Sequence, residues 1–449
     1  MKKIFLFLLI IYSVINSNAQ TIIQKDPAIE KMVSEVNADS LKSYIDHLVS
    51  FGTRSTLSTT SDNKKGIGAA RDWVVSKFEE FAKNSNGRMT VELDKWILPA
   101  DGKRVDVNAD MGNAMAILHG TDTSDKRIFI ISGHMDSRVT NVMNRTDDAP
   151  GANDDGSGTS AVIECARIMS AYQFPATIIF VTVCGEEQGL LGSDHLAERA
   201  KQNNWNVEAM LNNDIMGSNN SNETNIIDNT KIRVFSEGLP VVDLEKKAAT
   251  IRQYGLENDG ASRQLARYAK EIGERYVANL EIVMVYRNDR FLRGGDHSPF
   301  VQRGFTAVRF TEMNENYDHQ HQDLRTEKNI KYGDLPEFMD FEYLRKNTAM
   351  NLSNLANLAK SPSVPQEVKI DVKNLTNSTF LVWKEPKNGK PKGYYILMRE
   401  TTAAQWQKKF FTDKLEMRLP YSKDNYFFAV QSVSNNVNES LPVVPSIGR

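Results

Sequence analysis

Thr177-Ile178-Ile179-Phe180-Val181-Thr182-Val183-Cys184-Gly185-Glu186-Glu187-Gln188-Gly189 is the stretch on which the reading of this chain turns. Its first half, uncharged and rich in β-branched side chains, reads as a strand buried on both faces, as in a parallel sheet. Two carboxylates follow at once. Side by side at the mouth of an apolar strand they repel each other unless a cation or a proton resolves the conflict. An exposed acidic loop is the plain alternative, and the hydrophobicity of the strand leading in argues against it.

The same pattern recurs on either side. Met115–Leu118, Ile128–Ser132 and Ala209–Leu211 are further short apolar runs, and helical spacing of apolar residues marks Asp39–Val49, Lys64–Phe81, Thr159–Met169 and Leu190–Ala200. Strands are expected again at Ile232–Phe235, Leu280–Val285 and Ala307–Phe310, helices at Ser262–Ile272 and from Leu335 to Ala359. Strands alternating with helices predict an α/β fold, a mostly parallel central sheet covered by helices on both faces, over residues 20–360.

Ser361-Pro362-Ser363-Val364-Pro365 reads as a linker, since closely spaced prolines favour extended backbone. Beyond it the texture changes. Val368–Val372, Thr379–Trp383, Tyr394–Arg399 and Tyr426–Val433 are β-rich runs separated by turn signals such as Asn388-Gly389-Lys390-Pro391, which predict a small all-β sandwich over residues 363–449. This segment resembles a fibronectin type III domain in its early proline, Trp383, Gly393-Tyr394, and Tyr426-Phe427-Phe428-Ala429-Val430 leading to Glu439-Ser440. It is expected to serve as an accessory module for spacing or binding.

At the other end, Lys2 and Lys3 precede the apolar run Ile4 to Ile15, and Ser17-Asn18-Ala19 places small residues before Gln20. That is the form of a secretory signal over residues 1–19. The run is short for a membrane span of about 20 residues, so a periplasmic or extracellular product with no stable membrane anchor after cleavage is expected. A formal charge of −2 supplies no global field for nucleic acid. Cys165 and Cys184 are too few to staple 449 residues, and read equally as two buried thiols or as one bridge.

Four more segments carry unusual side chains at or just after apolar strands, where sites of open α/β sheets assemble. Gly133-His134-Met135-Asp136-Ser137 offers an imidazole with an acid two residues on that could hold its ring. Gly151-Ala152-Asn153-Asp154-Asp155-Gly156-Ser157-Gly158 opens a helix; its acids could be an N-cap or, with Asp154 shared, a bridge between two cations. Asn212-Asn213-Asp214 and Asn316-Tyr317-Asp318-His319-Gln320-His321-Gln322-Asp323 complete the set. Imidazole and carboxylate donors without thiolates suit a catalytic zinc site.

In order and spacing these motifs resemble the dizinc aminopeptidase family, relatives of which include glutamate carboxypeptidase, the non-catalytic transferrin receptor and the glutaminyl cyclases. The resemblance covers about residues 40–360. It implies two Zn²⁺ per chain, His134, Asp154 and Asp214 holding one and Asp154, Glu187 and His319 the other. His319 is taken over His321 because the family's last ligand stands four residues before an acid, here Asp323. The resemblance further implies Glu186 as general base and acid on the attacking water, Asp136 as the residue orienting His134, and Asp323 and Asp296 as supports behind the ligands. Asn153 departs from the family, where Asp is usual, and the stretch Arg138–Pro150 looks like an insertion at the rim. The implied activity is hydrolysis of peptide or protein substrates. A glutaminyl cyclase, with one zinc and no use of the first His, and a binding protein on an inactive peptidase fold are the competing readings; His134 and Glu186 argue against each in turn. Arg287, Arg290 and Arg293 near Asp296 could meet a terminal carboxylate, or form a solvated basic loop.

Overall fold

The computed structural model describes residues 23–373 and 375–448, so the expected signal segment lies outside the described residues. Eight strands form the main sheet: β1 (Met89–Leu98), β2 (Ala109–Leu118), β3 (Arg127–His134), β4 (Thr177–Val183), β5 (Asn206–Asn213), β6 (Lys231–Phe235), β7 (Glu281–Val285) and β8 (Ala307–Glu312). Their spatial order is β1-β2-β4-β3-β5-β8-β6-β7. The centre, β4-β3-β5-β8, is parallel throughout, while β1 and β2 run antiparallel at one edge and β6 pairs antiparallel with β8. From β3 the chain passes first to β4 on one side and then to β5 on the other. The strand order therefore reverses at β3, which opens a crevice at the carboxyl ends of the central strands.

Alternation along the central strands builds two cores. Phe129 and Ile131 of β3, with Ile178 and Phe180 of β4, face the layer that includes Ile45, Val162, Leu265 and Leu355. Ile130, Ile179 and Val181 point the other way, onto Leu196, Ala200 and Phe300. A strand buried on both faces can be apolar at every position, which is why these runs lack the polar alternation of a half-exposed strand. β1 escaped sequence reading for the opposite reason. It is an edge strand bonded only to β2, and its charged residues Glu92, Asp94 and Lys95 are tolerated there. The last large helix begins at Phe341, not near Leu335, because Asp340 accepts from the backbone N–H of Tyr343 and caps it.

The C-terminal strands form a four-stranded sheet and a three-stranded sheet. Leu381 and Trp383 of the first pack on Ile396, Phe410 and Phe428 of the second, which makes the expected sandwich. Its final strand, Ser446–Gly448, pairs parallel with Gln366–Asp371. Cys165 and Cys184 are both buried and free. Among the described residues, no helix is long and apolar enough to cross a membrane.

The sandwich is bound to the α/β layer through buried charge. Glu439, 1% exposed, accepts from Arg275 at 3.0 Å, Asn357 at 3.1 Å and Lys409 at 3.3 Å, and its backbone carbonyl accepts from the Tyr268 hydroxyl. Arg399 of the sandwich meets Asp259 at 2.7 Å. Burial pushes the Glu439 carboxyl up, but Lys409 and Arg275 outweigh it and hold it below its ordinary 4.5. Because the folded value is depressed, the stabilisation is full above 4.5 and is lost as pH falls through the folded value. Glu439→Ala leaves Arg275 and Lys409 with the partly exposed Glu271 as their remaining carboxylate and is expected to cost about 1–3 kcal/mol, the cost of unsatisfied buried donors. Urea unfolding at pH 7 checks this: a loss below about 1 kcal/mol, the worth of an exposed pair, would show that the contact contributes little.

Candidate metal centre

The topology brings the expected segments to one end of the sheet. His134 closes β3, Glu186 and Glu187 follow β4, Asp214 follows β5, and Asp154 precedes the helix Gly156–Met169 that packs back across β3. Close approach at that crossing requires glycine. A Cβ on Gly133 would lie 2.5 Å from the Gly158 carbonyl carbon, and one on Gly158 would lie 2.4 Å from the Asp155 carboxylate.

Two ligating groups result, His134, Asp154 and Asp214 in one and Asp154, Glu187 and His321 in the other, with the donor atoms of each within 4.8 Å of one another. They share Asp154. Its Oδ1 lies 3.2 Å from His134 Nε2, and its Oδ2 lies 2.8 Å from His321 Nε2. Asp214 Oδ1 stands 3.9 Å from His134 Nε2, and Glu187 Oε1 stands 3.1 Å from His321 Nε2. Desolvation opposes a charge on His321, but Glu187 and Asp154 overcome it and raise the imidazole to about 10. Desolvation pushes Glu186 and Glu187 up. A centre with this surplus of buried carboxylate selects a cation. His134 Nε2 and Glu187 Oε1 are buried without a hydrogen-bond partner, and both point into the cluster. The donor set and these two atoms fit zinc, which takes nitrogen and carboxylate oxygen together.

His319 does not join the cluster, which corrects the sequence expectation. The backbone N–H groups of His319 and Gln320 both donate to the Asn316 carbonyl, coiling the segment into a turn, and His321 has a left-handed φ of 54°. That turn sends the His319 ring away, to stack on Phe338 at 3.7 Å, and brings His321 and Gln320 to Asp154. Asp323, chosen with His319, is also displaced. It is exposed, and its Oδ1 accepts from the Thr140 N–H at 3.2 Å, clasping the 138–150 stretch to this loop. Spacing to an acid could not foresee a turn.

The other supports stand nearer expectation. His134 Nδ1 lies 3.0 Å from the backbone carbonyl of Asp136 and 3.5 Å from its carboxylate, so the backbone makes the closer contact. The Asp136 carboxylate instead accepts from the N–H groups of Glu186 and Glu187 and from the Thr56 hydroxyl, which holds the two glutamates in place. Asp296 is fully buried; desolvation pushes its carboxyl up to about 7, with His134 pulling it down and Asp214 adding to the rise. His297 is no ligand. Its Nε2 meets the Asn288 carbonyl at 2.8 Å, and burial lowers it to about 4, hence neutral. The two acids divide: Asp154 enters the cluster, while Asp155 caps the helix through the Gly158 N–H and accepts from the His134 N–H.

Sequence reading missed the roles of three residues. Asp334 accepts from the N–H groups of Asn153 and Asp154 and so holds the shared acid; no local pattern marks it. Asn153, the departure noted above, is a brace: its amide donates to Glu312 and its carbonyl accepts from Gly217. Arg309, fully buried on β8, lies 2.9 Å from Asp214 and 2.9 Å from Asp289. Its signal was present, since a charge inside the apolar run 307–310 must be paired.

The profile of Peptidase family M28 matches residues 113–341. A Leptosphaeria maculans protein named a probable zinc metalloprotease is 43% identical over 421 residues, 94% of this chain and 97% of its own. A Pyricularia oryzae protein of the same name is 39% identical, over 94% of this chain and 85% of its own. Among solved structures, the LapA aminopeptidase of Legionella pneumophila superposes with a TM-score of 0.53, covering 80% of each chain at 19% identity. A Macrostomum lignano glutaminyl cyclase superposes with a TM-score of 0.52, covering 75% of this chain and 94% of its own at 15% identity. At these identities the likeness is one of fold, and the fold houses both aminopeptidase and cyclase.

Proposed function

The chain belongs to Peptidase family M28 and is a zinc-dependent hydrolase, and from that premise we propose that it is a secreted aminopeptidase with two zinc ions. The observation that carries the reading is the pair of ligating groups sharing Asp154. His134, Asp154 and Asp214 would hold one ion, and Asp154, Glu187 and His321 the other. Zinc in such a centre supplies Lewis acidity, polarising the scissile carbonyl and making water a stronger acid.

The chain's own residues do the rest. Glu186 faces the cleft half-buried, and its carboxylate has no hydrogen-bond or ion-pair partner among the described residues. It is free to take a proton from the attacking water and pass it to the leaving amine nitrogen. Asp136 positions it through the backbone. Asp334, Asn153 and Arg309 fix the acids around it, which lowers the reorganisation needed at the moment of reaction. The proposal of secretion rests on the basic and apolar start of the chain.

Metal content and substrate class test this together. The expected result is about two zinc per chain, hydrolysis of aminoacyl anilides, and no hydrolysis once the substrate amine is acetylated. One zinc with cyclisation of N-terminal glutamine would replace the proposal with a cyclase. Metal-free protein without activity would leave a binding protein.

A further inference from the structure

The cleft above the metal centre, about 440 Å³, is lined by Arg104, Arg138, Arg290 and Arg293 as well as by the carboxylates Asp154, Glu186, Glu187 and Asp214. The arginines converge from three loops far apart in sequence, following β1, following β3, and preceding β8. A single basic loop would not arrange them this way.

Their partners differ. Arg290 is neutralised by Glu315 at 2.6 Å and Asp289 at 3.4 Å. Arg287, outside the cleft lining, lies over the Phe291 ring. Arg138 donates to the carbonyls of Val139 and Thr140, and its nearest carboxylate, Glu187, is 3.9 Å away. Arg104 donates to the Glu187 backbone carbonyl and pairs with no carboxylate among the described residues. Arg293 is exposed, and its guanidinium has no partner among them. On the dizinc reading above, on which this inference rests, two divalent ions balance the four carboxylates of the floor. Arg104, Arg138 and Arg293 then have no ion-pair partner among the described residues other than the ligand Glu187, 3.9 Å from Arg138. Like charges converging on one cleft cost energy in the free protein and focus a positive field on its mouth. An anionic ligand relieves both.

We propose that these three arginines form a carboxylate-recognition site beside the scissile bond, so that the enzyme prefers peptides carrying a carboxylate there. Guanidinium groups match carboxylates in geometry as well as charge. The carboxylate is either the side chain of an acidic N-terminal residue or the free C-terminus of a short peptide.

Two substrate pairs separate these sources. Glutamyl anilide against glutaminyl anilide tests the side chain, and Leu-Leu against Leu-Leu-amide tests the terminus. A preference of about tenfold to a hundredfold in kcat/KM, the fold-change of a charge-assisted hydrogen bond, is expected in one pair. It should fall in Arg293→Ala through KM with kcat retained, and return in part in Arg293→Lys. Independently of turnover, calorimetry on zinc-loaded Glu186→Gln should show glutarate binding at least several-fold tighter than valerate, with the gap narrowing in Arg293→Ala. Hydrolysis without preference in either pair, and glutarate no tighter than valerate, would overturn the site while leaving the peptidase standing. Absence of hydrolysis with the glutarate preference intact would do the reverse.

Discussion

Glu186→Gln will keep its zinc and lose kcat by roughly 10²–10⁴-fold, the range that a positioned general acid–base contributes. The substitution preserves shape and removes only the capacity to hold a proton. Glu186 belongs to neither ligating group, so its amide removes no donor from either ion. The loop is held through backbone N–H groups by Asp136, and those contacts survive the exchange. KM should therefore move little while kcat and kcat/KM fall together, the signature of an interaction made in the transition state. Zinc content measured beside steady-state kinetics decides it. A variant that loses metal would make Glu186 a ligand, and one that keeps more than about a tenth of wild-type kcat, well short of the expected loss, would remove it from the proton transfer.

On the two-zinc proposal, His321→Ala is expected to remove one zinc ion and most of the activity, whereas His319→Ala keeps both. His321 Nε2 lies 2.8 Å from Asp154 and 3.1 Å from Glu187, and among the described residues no other imidazole completes that group. Losing one of its three donors should weaken that ion by more than the 10–100-fold attributed to the supports behind ligands. The His319 ring stacks on Phe338, and its loss should register in stability, as a contact of about 0.5–1.5 kcal/mol. Metal analysis after dialysis separates the two. Zinc lost from His319→Ala and kept in His321→Ala would reverse the assignment and restore the choice made from spacing.

Much of this molecule is legible in one dimension, and the reason is local. Burial on both faces writes itself into Thr177–Val183 as an unbroken apolar run, and the acids behind it are conspicuous because such a strand leads to them. His134, Asp154, Glu187 and Asp214 each adjoin a strand or helix end that the pattern predicts, so their convergence follows from a parallel sheet whose order reverses at β3. What stayed hidden lies where loop conformation or distant contact decides. A turn on the Asn316 carbonyl chose His321 over His319. Asp334 reaches Asp154 across 180 residues, and the four arginines meet only because three loops end at one mouth. The sandwich, readable as a fold, is joined to the catalytic layer through Glu439, which nothing in its own segment marks as an interface residue. Hydrophobic periodicity specifies which elements form and which faces they bury, so fold class and most of the metal centre come from sequence alone. The pairing of buried charges depends on three-dimensional distance and on desolvation, and only the tertiary structure supplies both.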